Sequence, residues 1–344
     1  MTKRYLGNII TQNPTPPAGP YEDGAASGVW SLAEALSYTK GGLWPTAGNV
    51  APVGLFGGGQ GAAKYNTIEK INIMTAGNAV DFGDLSSARG NMGNGAGSSS
   101  RAIWFGGQAS GGNVNTIEFV LFAAGGSVTD FGDLTAVSGF GTALSSSTRA
   151  ITSLAETTAA RTDTLEYVTM ASAGNAIDFG NLLAAMTATS ASFSSPTRGI
   201  WAGGWPSGST GQNVIQYVTI ASTGNATDFG DLTFVGLYQG GASNSTRGLI
   251  AGGYNSGFTA QNIVEFITIA STGNATDFGD LSSADSVPPS CAANDTRMVA
   301  RHSGTVTIDY FTIATSGNAV DFGDATQQAS NSGACSNVHG GIAA

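Results

Sequence analysis

Histidine and cysteine occur only twice each in 344 residues, as His302, His339, Cys291 and Cys335. That scarcity leaves little room for a metal centre or an activated nucleophile, because imidazole and thiolate are the usual ligands, bases and nucleophiles. Charge is scarce as well, at 10% of the residues. The 13 lysines and arginines form no stripe, so no nucleic-acid groove is expected, since phosphate binding needs clustered cations. No apolar run reaches membrane-spanning length and no apolar segment of signal-peptide type follows residues 1–5, so no membrane insertion is expected and folding is assigned to a cytoplasm.

What is abundant is repetition. The motif G-N-A-x-D-F-G-D-L is cleanest at residues 224–232 and 273–281, and its first aspartate recurs at Asp81, Asp130, Asp178, Asp228, Asp277 and Asp321. The intervals are 49, 48, 50, 49 and 44 residues, a regularity that belongs to architecture before chemistry. The net charge of -10 follows from the same repetition, because 11 of the 23 acids lie in these motifs and five more at another repeat position. Cys291 and Cys335 are 44 residues apart, the last repeat interval, which places them in equivalent positions of neighbouring units and predicts two free thiols.

Each unit offers four short strands. One reads Arg-Gly-Ile-Trp-Ala-Gly-Gly at residues 198–204, matched at 247–253, 101–107 and, without the arginine, 53–59. A second, at 214–220, is matched at 263–269, 164–170 and 307–313. The motif supplies a turn and a third strand, and the small-residue stretch before each arginine, such as 187–195, supplies the fourth. Four β-branched and aromatic runs per unit with no helical period describe a propeller blade. The expected fold is all-β: a six-bladed propeller over residues 48–344, in which the segment after Asp324 supplies the strand missing from the first blade and closes the ring.

Residues 1–47 stand outside the repeat. Pro14, Pro16, Pro17 and Pro20 stiffen the first stretch, and Ser31 with Glu34 has capping-box spacing before a short helix over 32–39 that Gly41-Gly42 ends. Trp30, Leu36 and Trp44 give this extended arm too little to fold alone, so it is read as an anchor that docks on its own propeller, a sister subunit in a homo-oligomer, or a larger assembly.

The glycine pairs at 58–59, 106–107, 203–204 and 252–253 resemble those of kelch-type propellers, although units three and six lack the pair, and the later-strand tryptophan of a kelch blade is absent. The arm with its prolines, Ser-Gly-Val-Trp-Ser-Leu, Gly-Leu-Trp-Pro, and repeats such as Tyr-Val-Thr-Ile-Ala-Ser-Thr-Gly-Asn-Ala-Thr-Asp-Phe-Gly-Asp-Leu resemble virion structural proteins of tailed bacteriophages, especially of marine bacteria. This resemblance spans the chain and implies a component of the virion, attached to capsid or tail and not a free enzyme. A tail adhesin that binds a host-surface glycan or protein is the alternative, and a polysaccharide-degrading enzyme ranks last.

No residue set points to catalysis, and no cofactor or metal is expected. D-F-G repeated six times without an H-R-D loop is not a kinase signature. Asn225, Asp228 and Asp231 could offer oxygen to calcium, but the favoured reading is a turn in which Asn takes a left-handed conformation, Asp caps it, and Phe fills the gap between blades. Five of nine arginines recur at Arg101, Arg149, Arg198, Arg247 and Arg297, in step with Glu69, Glu118, Glu166, Gln216, Glu265 and Asp309. Ion pairs or arginine-to-carbonyl bonds stapling strands or blades are expected of them, with a ligand-binding ring at the central channel as the alternative. Uneven loops carry Trp201, Trp205, Pro206, Tyr254 and Phe258, the candidate binding aromatics.

Overall fold

The computed structural model describes residues 30–41, 43–44, 51–158, 160–186, 191–206 and 211–342. The chain divides between residues 52 and 53 into two units. The proline stretch at 14–20 and the first part of the strand expected at 187–195 lie outside the described residues.

In the first unit a helix runs Leu32–Lys40. Ser31 is its N-cap and forms the reciprocal capping box with Glu34, and Gly41 closes it through bonds to the Ser37 and Thr39 carbonyls. The helix buries none of its residues: Leu32 is 86% and Leu36 49% exposed. Trp30 packs edge-to-face on Tyr38 at 5.3 Å and on Trp44 at 5.5 Å.

The second unit is a six-bladed β-propeller. Six sheets follow one another, each antiparallel, with inner, second, third and outer strands. In the first blade the inner strand is the chain's last, Gly333–Ser336, which pairs with Val53–Gly57 and so closes the ring as expected. The other inner strands are Ala96–Gly97, Ala143–Ser145, Ala191–Ser194, Gly240–Ser243 and Ser290–Ala293. Glycine, alanine and serine let these strands crowd the axis. Ser145, Ser194 and Ser243 each donate to a carbonyl of the preceding blade, at Gly97, Ser145 and Ser194. Both free cysteines are buried in this inner layer, which leaves a cavity of about 40 Å³.

The apolar cores lie between blades. One cluster joins Ile103, Phe105 and Phe131 of blade 2 to Val168 and Met170 of blade 3, and others join blades 3 and 4, 4 and 5, 5 and 6, and 6 and 1. Phe131, Phe179, Phe229, Phe278 and Phe322 of the motif are the buried fillers, as expected. A blade alone would leave that apolar face in water, which is why the units must stack.

The glycine pairs bend the second strand out of its sheet. Gly58 (φ 64°) and Gly252 (φ 64°) adopt left-handed backbone, and a Cβ at Gly58 would collide with the Arg89 carbonyl. The loop that follows reaches the end of the preceding blade's outer strand or the connection after it, seen at Gly90–Gln108, Gly139–Glu156, Met186–Pro206 and Gln60–Ser330, and most fully where Tyr254–Asn255 pairs with Gly236 and Leu237.

Candidate functional site

The repeated residues form the seams of the ring. In each motif the phenylalanine carbonyl accepts the N–H of the next blade's turn glycine, as from Gly273 to Phe229 at 2.8 Å, and Gly77 completes the circle on Phe322 at 2.7 Å. The second aspartate's carbonyl accepts the N–H two residues further on, as from Ala275 to Asp231. The turn asparagine adds a third bond: Asn274 Oδ1 accepts the Asp231 N–H at 3.0 Å, and Asn78, Asn175, Asn225 and Asn318 repeat it. The expected cap is thereby corrected. Asn holds no left-handed φ, and its oxygen serves the neighbouring blade instead of its own turn. Asp81, Asp130, Asp178, Asp228, Asp277 and Asp321 are exposed on the outer strands.

The arginines are staples to carbonyls. Arg101, Arg149, Arg198, Arg247 and Arg297 donate to Met170, Ile220, Ile269, Ile313 and Met74 of the next blade at 2.7–3.0 Å. Each guanidinium also lies 4.4–4.8 Å from the ring of its own blade's third strand, such as Tyr167 under Arg149. The ring of arginines around the channel is thus overturned, since these side chains are spent at the seams. The acids in step with them do not pair with them. Glu118, Glu166, Glu265 and Asp309 are buried and accept the N–H that follows the preceding blade's motif, at Ser86, Thr135, Thr233 and Ser282; Gln216 does the same for Leu183, and Glu69 for Thr326. Burial pushes the Glu265 carboxyl up, opposed by its bonds from Thr233. Sequence reasoning missed this use because the two partners lie in different blades.

Two histidine environments also escaped it. His302 stands where four other blades have the first glycine of the pair, in the shortest unit. Its Nε2 lies 2.7 Å from Asp309 Oδ2 and its Nδ1 3.4 Å from Asp285 Oδ2, with Ser282 and Ser283 hydroxyls at 3.4 Å. Burial opposes protonation of His302, but the two carboxylates outweigh it and hold the imidazole above its usual range, while burial pushes Asp285 up to about 6. The ring is thus clamped between acids of blades 5 and 6, whose carboxylates favour its protonated form. His339, on the C-terminal tail, bonds Ser145 Oγ at 3.1 Å and the Gly97 carbonyl at 3.0 Å, and shares the channel cavity with both cysteines. Burial pushes His339 down to about 4 and both thiols up, which leaves the thiols inert.

The repeat breaks on the face formed by the glycine-pair loops and the blade-to-blade connections. There Trp205, Tyr254 and Phe258 join Tyr238 and Phe140 in a chain of edge-to-face contacts, with centroids 5.8–6.5 Å apart. Phe258 is 49% exposed and the other four are half-buried. Trp201 does not belong to this group. It is fully buried between blades 3 and 4, which corrects its expected place on the surface. Its strand is buried on both faces, so alternation gave no warning. Tyr238 and Phe140, which sequence reasoning left out, lie in connections whose approach to blade 4 only the closed ring produces.

No protein-family model matches the sequence, and no curated protein matches it significantly.

Proposed function

We propose that the chain is a non-enzymatic structural protein of a tailed-bacteriophage virion, joined to capsid or tail by residues 1–47 and displaying a kelch-like propeller as its head. The observation that carries this is the arm's helix: capped at both ends, yet with Leu32 86% and Leu36 49% exposed, and Leu43 just beyond it 41% exposed. Apolar side chains on a short, preformed helix are what an anchoring segment offers to another virion protein. The whole-chain likeness in sequence supports the same assignment, and so does the use of the repeated residues within the seams. Deleting residues 1–47 is expected to leave a folded head that no longer joins assembling particles. Incorporation of the truncated chain at the level of the full one overturns the anchor.

A second reading, host attachment, is favoured by the aromatic face, where the repeat is broken and rings stand near solvent. In that reading the head binds a surface receptor while the arm holds it to the particle.

A further inference from the structure

Of the five aromatic side chains gathered on this face, three, Phe140, Tyr238 and Phe258, are set in costly backbone. Phe140 and Tyr238 share a repeat position with Asn91 and Asn331, and all four have φ between 51° and 59°. Asparagine tolerates that left-handed conformation, whereas an aromatic residue adopts it only when its surroundings impose it. Phe258 also lies there, at φ 56°. Such exceptions cluster where a ligand is held.

The platform is also rigid. Asn255 Oδ1 accepts the N–H of Gly257 and of Thr259, and Phe258 N–H bonds the Asn255 carbonyl, so the loop that carries Phe258 is a closed turn. Its base, Tyr254–Asn255, is sewn to blade 4 as a fifth strand. Arg161 lies 5.4 Å from the Trp205 ring and donates to the Pro206 carbonyl. Burial, and after it the charge of Glu156, push the Tyr238 hydroxyl up, and Asn113 donates to the Glu156 carbonyl.

We propose that this platform binds carbohydrate, and specifically neutral pyranose glycans. Phe258, 49% exposed, offers ring surface to the C–H face of a sugar, while the planar guanidinium of Arg161 and the carboxylate of Glu156 suit vicinal hydroxyls. The charge of -10 disfavours polyanionic glycans, against which Arg161 is the one cation in the group. Because the rings are already ordered, little side-chain freedom is lost on binding. The inference builds on the host-attachment reading.

The test uses the full chain, titrated with neutral gluco- and galacto-hexaoses and with an oligouronate of the same length, followed by calorimetry and tryptophan fluorescence. Saturable binding of a neutral hexaose is expected, weakened at least about tenfold in Trp205→Ala and in Phe258→Ser. Phe258 is exposed, so its variant keeps the parent's melting temperature and decides the matter if the tryptophan variant unfolds. Binding of the oligouronate alone, of no sugar, or equally by parent and Phe258→Ser overturns the proposal, as does a dimer of the full chain that Phe258→Ser dissolves. Loss of the glycan result with arm-dependent incorporation intact removes this inference and leaves the virion assignment standing.

Discussion

The seam between blades 1 and 2 is built differently from the other five. Blade 1 has Val53 where the others place the stapling arginine, and Lys70 where they place the ring beneath it; Lys70 reaches over Phe82 instead, at 5.7 Å. Blade 2 has Ser127 in place of the turn asparagine, and Phe82 is half-buried where its five counterparts are buried. Compensation comes from Arg89 and His339, which lie off the repeat, and from new bonds made by repeat residues. Arg89, fully buried, pairs with Glu118 and donates to the Gly106 carbonyl at 2.8 Å, and Trp104 Nε1 bonds the Gly333 carbonyl at 2.9 Å. On the inner side, His339 follows blade 1's last strand and clasps Gly97 of blade 2. One lesson is that a seam needs its polar groups satisfied and its gap filled, and that these tasks can be moved to new positions when the ring is closed by the two ends of the chain.

Four changes break or sharpen this contrast. The largest effect is expected from Arg89→Met, which leaves Glu118 buried without its cation and costs about 3–5 kcal/mol, read as a loss in chemical denaturation. Next comes acid. His339 is held down at about 4, so below its usual range the unfolded chain binds the proton first and stability falls as pH drops from about 6.5 to 4, by up to about 3 kcal/mol. In His339→Gln that slope disappears, and its melting temperature overtakes the parent's at the acid end. At an ordinary seam, Arg198→Met removes one charged bond and one cation–π contact for about 1–2 kcal/mol, a smaller loss than Arg89→Met because the backbone ladder around it remains. Smallest, and in the opposite sense, Ser127→Asn gives the Asp84 N–H the acceptor that the other seams have. It is expected to stabilise by about 0.5–1 kcal/mol, seen as a rise in melting temperature.

Much of this ring was legible beforehand. The spacing of the motif counted the blades, the small residues after Asp324 marked the closing strand, Ser31 with Glu34 marked the helix, and the motif phenylalanines were identified as fillers. The capping pair and the turn and strand signals are set within a few positions, and the recurrence of the motif along the chain multiplies them into a count. The candidate site was less legible. Trp201 and Trp205 are four residues apart in one loop-bearing segment, yet one is sealed in a seam and the other lies on the face, because the glycine pair between them turns the chain out of its sheet.

By itself, then, the chain's sequence determined the number of units, their strand order and the need for neighbours, since a blade with one apolar face cannot stand alone. Only the closed ring decided who bonds whom. Glu265 meets Thr233, Arg198 meets Ile269 and Asn274 meets Asp231, all across a seam where register between blades brings together groups 32 to 71 residues apart. Where the seam is buried, as at Glu265, the polar partner is obligatory, because an unpaired group there costs more than the bond contributes. The same closure gathers Phe140, Tyr238, Trp205, Tyr254 and Phe258 from between residues 140 and 258 into one surface.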